Sequence, residues 1–498
     1  MSAIPPPFQP GMRFVRRERR MLQAQWLFGL FVVVIVIWAN FFNSYVKTFE
    51  TLFLASVVIL LGLWPLYRWI GNPGRDAIPV LPMHAGFMAL SFGFAGLMPP
   101  GQMFTLDWTS EGERQQALVM AGLGLLSLYL GYHLARSIGN SKRVSVSWPL
   151  VILPAAYSFL VYVTVPAVLV IKSLVSFAGL NILSEVVDAI CTFVVILVIH
   201  AAFSGALTRV ARRIVLFGLI PYQLIIAGGL AGGTIAGTFV WAVVVGLTYV
   251  VTRRRVPYQW ILAAAVLVFL LQPIKGEYRA LTWGEDVDWS AMKRIQVWVE
   301  MGLSYYLDDQ SSGVNQVSKG MEKSYDRVNH LMVTAAVIAD TPSRQPFLYG
   351  ESYLPLLTKW IPRLIWPEKP REDLGNRWGR QYGYLGEDDF GTSFNLPWLT
   401  EMYMNFGALG VFGVSFLLGV AFRYLSVHFW TRARDAGTYA FGMVIGIPLF
   451  FVESNLSLLF GQLIISAISL VIVAYVAARF FPSLFIWKHR DTQRNGIR

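Results

Sequence analysis

Hydrophobic and polar positions in this chain alternate on the scale of whole segments rather than of single residues. Twelve apolar runs, at about residues 22–43, 51–70, 78–98, 117–136, 149–171, 186–206, 214–231, 233–252, 258–274, 403–425, 438–454 and 456–480, are separated by polar joints. Each has about the length, roughly 17 to 25 residues, that crosses some 30 Å of hydrocarbon as a helix. Lipid offers the backbone no hydrogen-bond partners, so such runs have to be helices packed as a bundle. The pattern therefore predicts an all-α polytopic membrane protein of about 12 transmembrane helices. One stretch departs from it. Residues 275–401 form the only long polar segment, so the expected organisation is helices one to nine over 1–274, a large cap loop over 275–401, and three more helices with a tail over 402–498.

Inside the cap, Trp289 to Asp309 and Gly320 to Asp340 carry helical spacing. In the second, Val328, Leu331, Ala335 and Ile338 make an apolar stripe, with Arg327, His330 and Thr334 on the opposite face. Asp326 stands four residues before His330, within hydrogen-bonding reach on a helix. From Trp360 to Pro370, prolines interleave with aromatic and branched residues, which predicts a re-entrant or interfacial segment. Ser173 to Val186, between the fifth and sixth runs, is expected as an interfacial helix.

Composition agrees with the pattern. With 55% hydrophobic residues and a mean hydropathy of +0.53, the 498-residue chain holds more apolar surface than a soluble globule of that length could bury. Charge adds orientation. The net charge of +12 suggests nucleic acid until the charges are placed: the cap holds fourteen of the 41 Lys and Arg but eighteen of the 29 Asp and Glu, so the soluble part is acidic. Most other basic residues recur at every second joint, as at Arg68/Arg75, Arg209 to Arg213 and Arg253 to Arg255. That alternation predicts both termini in the cytoplasm and the cap outside. The basic patch Arg13 to Arg20 precedes a run too long for a cleaved signal, and is expected to lead into a first span. Cys191 is the only cysteine, which excludes an internal disulfide and a cysteine-rich metal cluster.

Candidate chemistry gathers in the cap. Arg279, Arg327, Arg344, Arg363, Arg371, Arg377 and Arg380 lie where a lipid-linked diphosphate would arrive on the outer side, and a guanidinium fork grips phosphate oxygens without a metal. Glu401, Glu351 and His330, the last oriented by Asp326, are candidate bases toward a hydroxyl. Glu387, Asp388 and Asp389 are expected to form a solvated turn. Seven tryptophans of the cap, from Trp283 to Trp398, could stack on pyranose faces or belt the membrane interface. No metal site, Walker loop or nucleophile elbow stands in a suitable context.

The order TyrGlyGluSerTyr (349–353), IleProArgLeuIleTrpProGluLysPro (361–370), the glycine and tyrosine stretch through Tyr384, and GluMetTyrMetAsnPheGlyAlaLeuGly (401–410) resembles the Wzy-type oligosaccharide repeat-unit polymerases. The resemblance covers about Gly276 to Gly419. Arg380 to Gly391 also matches the family's arginine-x10-glycine spacing, whereas no second such pair occurs in the cap. What the resemblance implies is a bacterial inner-membrane enzyme with a bundle of the GT-C-like, O-antigen polymerase and ligase type. It would extend O-antigen, capsule or exopolysaccharide by inverting, metal-independent glycosyl transfer in the periplasm, with no cofactor. Donor and acceptor would be undecaprenyl-diphosphate-linked oligosaccharides, and a chain-length regulator would be a further partner. Arg279, Arg327, Arg363, Arg377 and Arg380 would hold the diphosphate, and Glu401 or His330, with Asp326, would take the proton. An O-antigen ligase and a non-enzymatic flippase or transporter are the rival readings.

Overall fold

The computed structural model describes residues 22–37 (except 31 and 35), 48–71, 77–98, 109–135, 148–177, 181–282, 289–307, 328–358, 361, 366, 368, 373–430, 435–451 and 453–487. Among these residues the secondary structure is almost wholly helical, with one two-stranded ribbon that pairs Leu150–Ile152 antiparallel to Phe485–Trp487. Among the described residues nine helices are long and apolar enough to cross a membrane: Phe49–Gly71, Val80–Leu97, Glu111–Leu134, Pro154–Val175, Leu183–Ser204, Arg209–Gly232, Ile235–Arg253, Trp398–Phe429 and Leu456–Phe480. The runs expected at 22–43, 258–274 and 438–454 appear as the shorter apolar helices Leu22–Val34, Tyr258–Val268 and Ala436–Phe450. The protein is a multi-pass, all-α membrane bundle.

Local chemistry sets the helix ends. Ser110 and Glu113 cap the start of Glu111–Leu134 reciprocally, side chain to backbone in both directions. Asp435 accepts the Thr438 N–H at 2.8 Å and so starts Ala436–Gly446. Among the described residues of 173–186 there is no separate interfacial helix: those through Phe177 continue Val165–Phe177, and those from Asn181 belong to Asn181–Ser204. Leu183–Ser204 runs through the centre of the bundle, with Val195 to Ile199 no more than 1% exposed.

Glycine lets the main helix pair approach. A Cβ on Gly131 would collide with the Phe416 carbonyl, and one on Gly419 with the Leu128 carbonyl, so Glu111–Leu134 and the 408–425 helix meet backbone to backbone. Ser127 Oγ donates to the Phe412 carbonyl at 2.6 Å across the same seam.

Trp398–Leu425 is not one continuous helix. Phe406 (φ −144°, ψ 18°) and Gly407 (φ 60°, ψ −145°) break it, and the left-handed φ there is one that glycine adopts without strain. The chain then folds back on itself. Ser415 Oγ lies 3.5 Å from Met402 Sδ, although thirteen residues of straight helix would set them roughly 20 Å apart. Leu399 and Ser415 both abut Gly124, which is itself about 20 Å along its helix from Glu111. Residues 398–405 thus form a short helix that starts deep in the bundle and returns to a turn at 406–407, from which 408–425 descends again. The cap boundary expected at 401/402 falls inside this re-entrant helix.

A second short helix, Leu331–Asp340, lies beside it, with all of Leu331 to Ile338 buried. This corrects the amphipathic helix expected over Gly320–Asp340: His330 sits at the N-cap, ahead of the helix. Covered on every side, it is a core helix rather than a half-solvated one. The Thr334 hydroxyl is satisfied internally, donating to the His330 carbonyl at 3.0 Å and lying 2.7 Å from Thr400 Oγ1 on the re-entrant helix.

Among the described residues, two further apolar clusters hold parts of the cap. One gathers Val333, Val337, Leu374, Trp378, Tyr382, Leu396 and Met404. The other joins Leu230, Ile235, Leu271 and Ile274 to Tyr278 and Trp298, whose rings stack at 4.5 Å.

Candidate functional site

Two stretches singled out in the sequence, 349–353 and 401–410, turn out to be two halves of one hydrogen-bonded unit at the turn end of the hairpin. The helix break leaves carbonyls without intrahelical partners, and the backbone at 348–349 supplies them: Leu348 N–H donates to Met404 O at 2.9 Å and Tyr349 N–H to Asn405 O at 3.1 Å. Asn405 is fully buried. Its Oδ1 accepts the Gly350 N–H at 2.8 Å, and its Nδ2 donates to Ser352 Oγ at 2.8 Å and to the Glu401 carbonyl at 2.7 Å. Ser352 in turn donates its hydroxyl to Glu401 Oε1 at 2.8 Å. Tyr349 (φ 45°) and Gly350 (φ 94°) are both left-handed, which turns the chain so that Ser352 points inward.

Glu401 is at the centre of this unit and wholly buried. Its second oxygen, Oε2, accepts the backbone N–H of Leu456, the first residue of Leu456–Phe480. A carboxylate at that position meets unpaired amide donors and the positive end of the helix dipole, which offsets part of its desolvation. Beside it, burial and then the Glu401 charge push the Tyr353 hydroxyl well above the ordinary tyrosine range.

The 374–381 helix forms the rim. Trp378 is completely buried and stacks on Tyr384 at 4.7 Å and Tyr382 at 5.5 Å, anchoring the helix on the re-entrant cluster. Burial raises the pKa of both tyrosines. From the helix's other side Arg377 Nη1 meets Glu351 Oε1 at 2.5 Å. Three residues on, Arg380 Nε donates to Asn376 Oδ1 at 3.0 Å while its guanidinium lies 4.3 Å from the Phe390 ring. Asn376 Nδ2 holds the following loop through the carbonyls of Asp389 and Thr392, at 2.8 and 2.6 Å. Within that loop Asp389 Oδ1 accepts the N–H groups of Gly391 (3.0 Å) and Thr392 (2.9 Å). The Thr392 side chain, then these amides and the nearby Arg380 charge, hold its carboxyl below the usual range.

The fold therefore brings Glu401, Arg377 and Arg380 into one unit, and two other described candidates, His330 and Arg279, are held by different partners. His330 is 4% exposed, donates its backbone N–H to the Ser91 carbonyl at 3.1 Å, and has its ring against Phe87 and Phe92. Its backbone carbonyl accepts the Thr334 hydroxyl, which lies 2.7 Å from the hydroxyl of Thr400, the residue before Glu401. Arg279 belongs to the other cluster, donating from Nε to the Gly233 carbonyl at 2.9 Å. Asp326, Arg327 and Arg363 lie outside the described residues, as do Arg371, Trp283 and Trp360. Trp298, Trp378 and Trp398 are at most 1% exposed and serve as core, which removes them from the set that could stack on a ligand. Among the described residues no group of three acidic, histidine or cysteine side chains is placed to hold a metal ion.

Sequence reasoning missed Ser352 and Asn405 as the residues that fasten Glu401. Their signal was present in the paired motifs, but only the folded hairpin shows that the two motifs bond to each other. Chemically, the unit offers a fixed buried carboxylate bonded to a hydroxyl, with an amide beside it, and two guanidinium groups on one partly exposed helix face at the rim. No protein-family model, curated protein or solved structure matches this chain.

Proposed function

We propose that this chain is a glycosyltransferase of the inner bacterial membrane that polymerises undecaprenyl-diphosphate-linked oligosaccharide repeats. In this reading twelve helices span the bilayer, both termini are cytoplasmic, and the cap faces the periplasm. The hydroxyl of an incoming lipid-linked repeat attacks the anomeric carbon of the growing chain, inverting it, and the lipid diphosphate departs with the bonding pair. Arg377 and Arg380 balance the charge that develops on the diphosphate, as fixed donors do where charge appears in a transition state. Arg279, Arg327 and Arg363 are assigned the same role on the strength of the sequence resemblance alone.

The single observation that carries the reading is the interlock of the 349–353 and 401–410 stretches around Glu401, with Arg377 and Arg380 at the rim. Glu401 has both oxygens engaged, by Ser352 and Leu456, which suits a group that fixes the hairpin. The proton then goes to His330 with Asp326, or to Glu401 once the unit opens. An O-antigen ligase would use the same machinery on a different acceptor.

A transporter is the second reading, and the broken 398–425 helix favours it, because discontinuous membrane helices commonly surround translocation sites. One experiment separates the readings. Purified protein in nanodiscs is given a lipid-linked repeat unit, and products are resolved by chain length. A ladder that disappears in Arg377→Ala and Arg380→Ala supports polymerisation. Lipid-linked sugar that changes leaflet without lengthening overturns it in favour of transport.

A further inference from the structure

Resting on the reading above, in which the rim arginines meet a diphosphate, the geometry also bears on what sits there before the ligand does. The guanidinium of Arg377 is already spoken for: it pairs with Glu351 at 2.5 Å. Both partners are partly open to solvent, at 30% and 53% exposure. The backbone under Glu351 is pinned, since its own N–H bonds Leu348 O, the preceding Gly350 bonds Asn405, and the following Ser352 bonds Glu401. Its side chain points the other way, out toward the rim. Arg380, three residues from Arg377 and hence on the same side of the helix, is held by Asn376 and Phe390, with the Asp389 carboxylate near enough to feel its charge.

We propose that Glu351 is a built-in counter-ion, which an arriving pyrophosphate group displaces from Arg377. The exchange replaces one carboxylate with a ligand that bears more charge and more acceptor oxygens, able to reach Arg377 and Arg380 together. A singly charged phosphodiester headgroup gains little over Glu351 and is left outside, so the pair sets a threshold of ligand charge. A partly exposed pair is weak enough to yield, and keeps Arg377 oriented until it does.

The test is a double-mutant cycle read by the binding of inorganic pyrophosphate to the full chain in zwitterionic nanodiscs. Glu351→Gln removes the competitor and should tighten binding by about two- to five-fold at low ionic strength, the range a partly exposed ion pair supplies. The gain should shrink at high salt and vanish in the Arg377→Ala background. Binding by Glu351→Gln that is no tighter than wild type, or a gain that persists undiminished without Arg377, overturns the proposal. The underlying reading fails separately: if Arg377→Ala and Arg380→Ala both bind pyrophosphate as wild type does, the anion site itself is refuted. Polyprenyl diphosphate incorporated in the nanodisc should compete with pyrophosphate. Without competition, the same arginines serve a soluble diphosphate, which overturns the lipid-linked assignment and leaves the counter-ion standing.

Discussion

Replacing Asn405 with alanine should release the 348–353 segment from the hairpin while leaving the bundle assembled. The side chain makes three hydrogen bonds, to the Gly350 N–H, Ser352 Oγ and the Glu401 carbonyl, at 2.7 to 2.8 Å. Alanine removes all three and leaves the Gly350 donor without a partner beside a buried carboxylate. A typical bond contributes about 1 kcal/mol net. The three bonds together give roughly 3 kcal/mol for local opening, equivalent to a rise on the order of 100-fold in the opening equilibrium. Hydrogen exchange followed by mass spectrometry reads this directly. Amides of 348–353 should lose on the order of 100-fold in protection, while those of the central Leu183–Ser204 helix stay unchanged. Asn405→Asp should be worse than alanine, because it sets a second carboxylate against Glu401 and faces the Ser352 oxygen with an acceptor. Unchanged protection at Gly350 in the alanine variant would refute the argument that Asn405 fastens the two motifs.

Three other outcomes follow from the same geometry. Gly407→Ala puts a side chain at φ 60°, ψ −145°, a conformation costing about 1 to 3 kcal/mol, and should lower the melting temperature more than Gly413→Ala, where an added Cβ meets open space. Glu401→Gln turns one of two accepting oxygens into a donor facing Ser352 or the Leu456 N–H; a loss of about 2 to 3 kcal/mol should appear as earlier thermal unfolding and as faster exchange at the start of Leu456–Phe480. Asp389 has a depressed pKa in the fold, so its contribution is complete above the ordinary value of 3.8 and is lost as pH falls through the lower folded value. Protection factors at Gly391 and Thr392 should hold steady from pH 7 to pH 5 and drop below 3.8, with no such step in Asp389→Asn.

What the sequence determined by itself is the class of molecule. Apolar runs of bilayer length leave a helical bundle as the only structure that satisfies the backbone in lipid, and nine of the expected runs are long helices while three are shorter ones. The same period could not reveal the re-entrant helix. Residues 403–425 read as one continuous apolar helix, because periodicity reports which faces are apolar and not whether two turns point in opposite directions. The break depends on one glycine and on the partners that the 348–349 backbone offers to the freed carbonyls, forty residues and more away in sequence.

The candidate site divides in the same way. Charge and residue type marked Glu401, Glu351, Arg377 and Arg380, since a carboxylate at the mouth of a span and guanidinium groups in a polar insert stand out against an apolar background. Which of them are neighbours was decided only by tertiary packing: Arg279 is drawn to Gly233, His330 is enclosed by Phe87 and Phe92, and Trp378 and Trp398 are taken into the core. The physical reason is that burial and hydrogen-bond satisfaction are properties of the assembled surroundings. A side chain's chemistry can be read from its letter, but whether it is spent on holding the fold or left to meet a ligand depends on what the folded chain puts beside it.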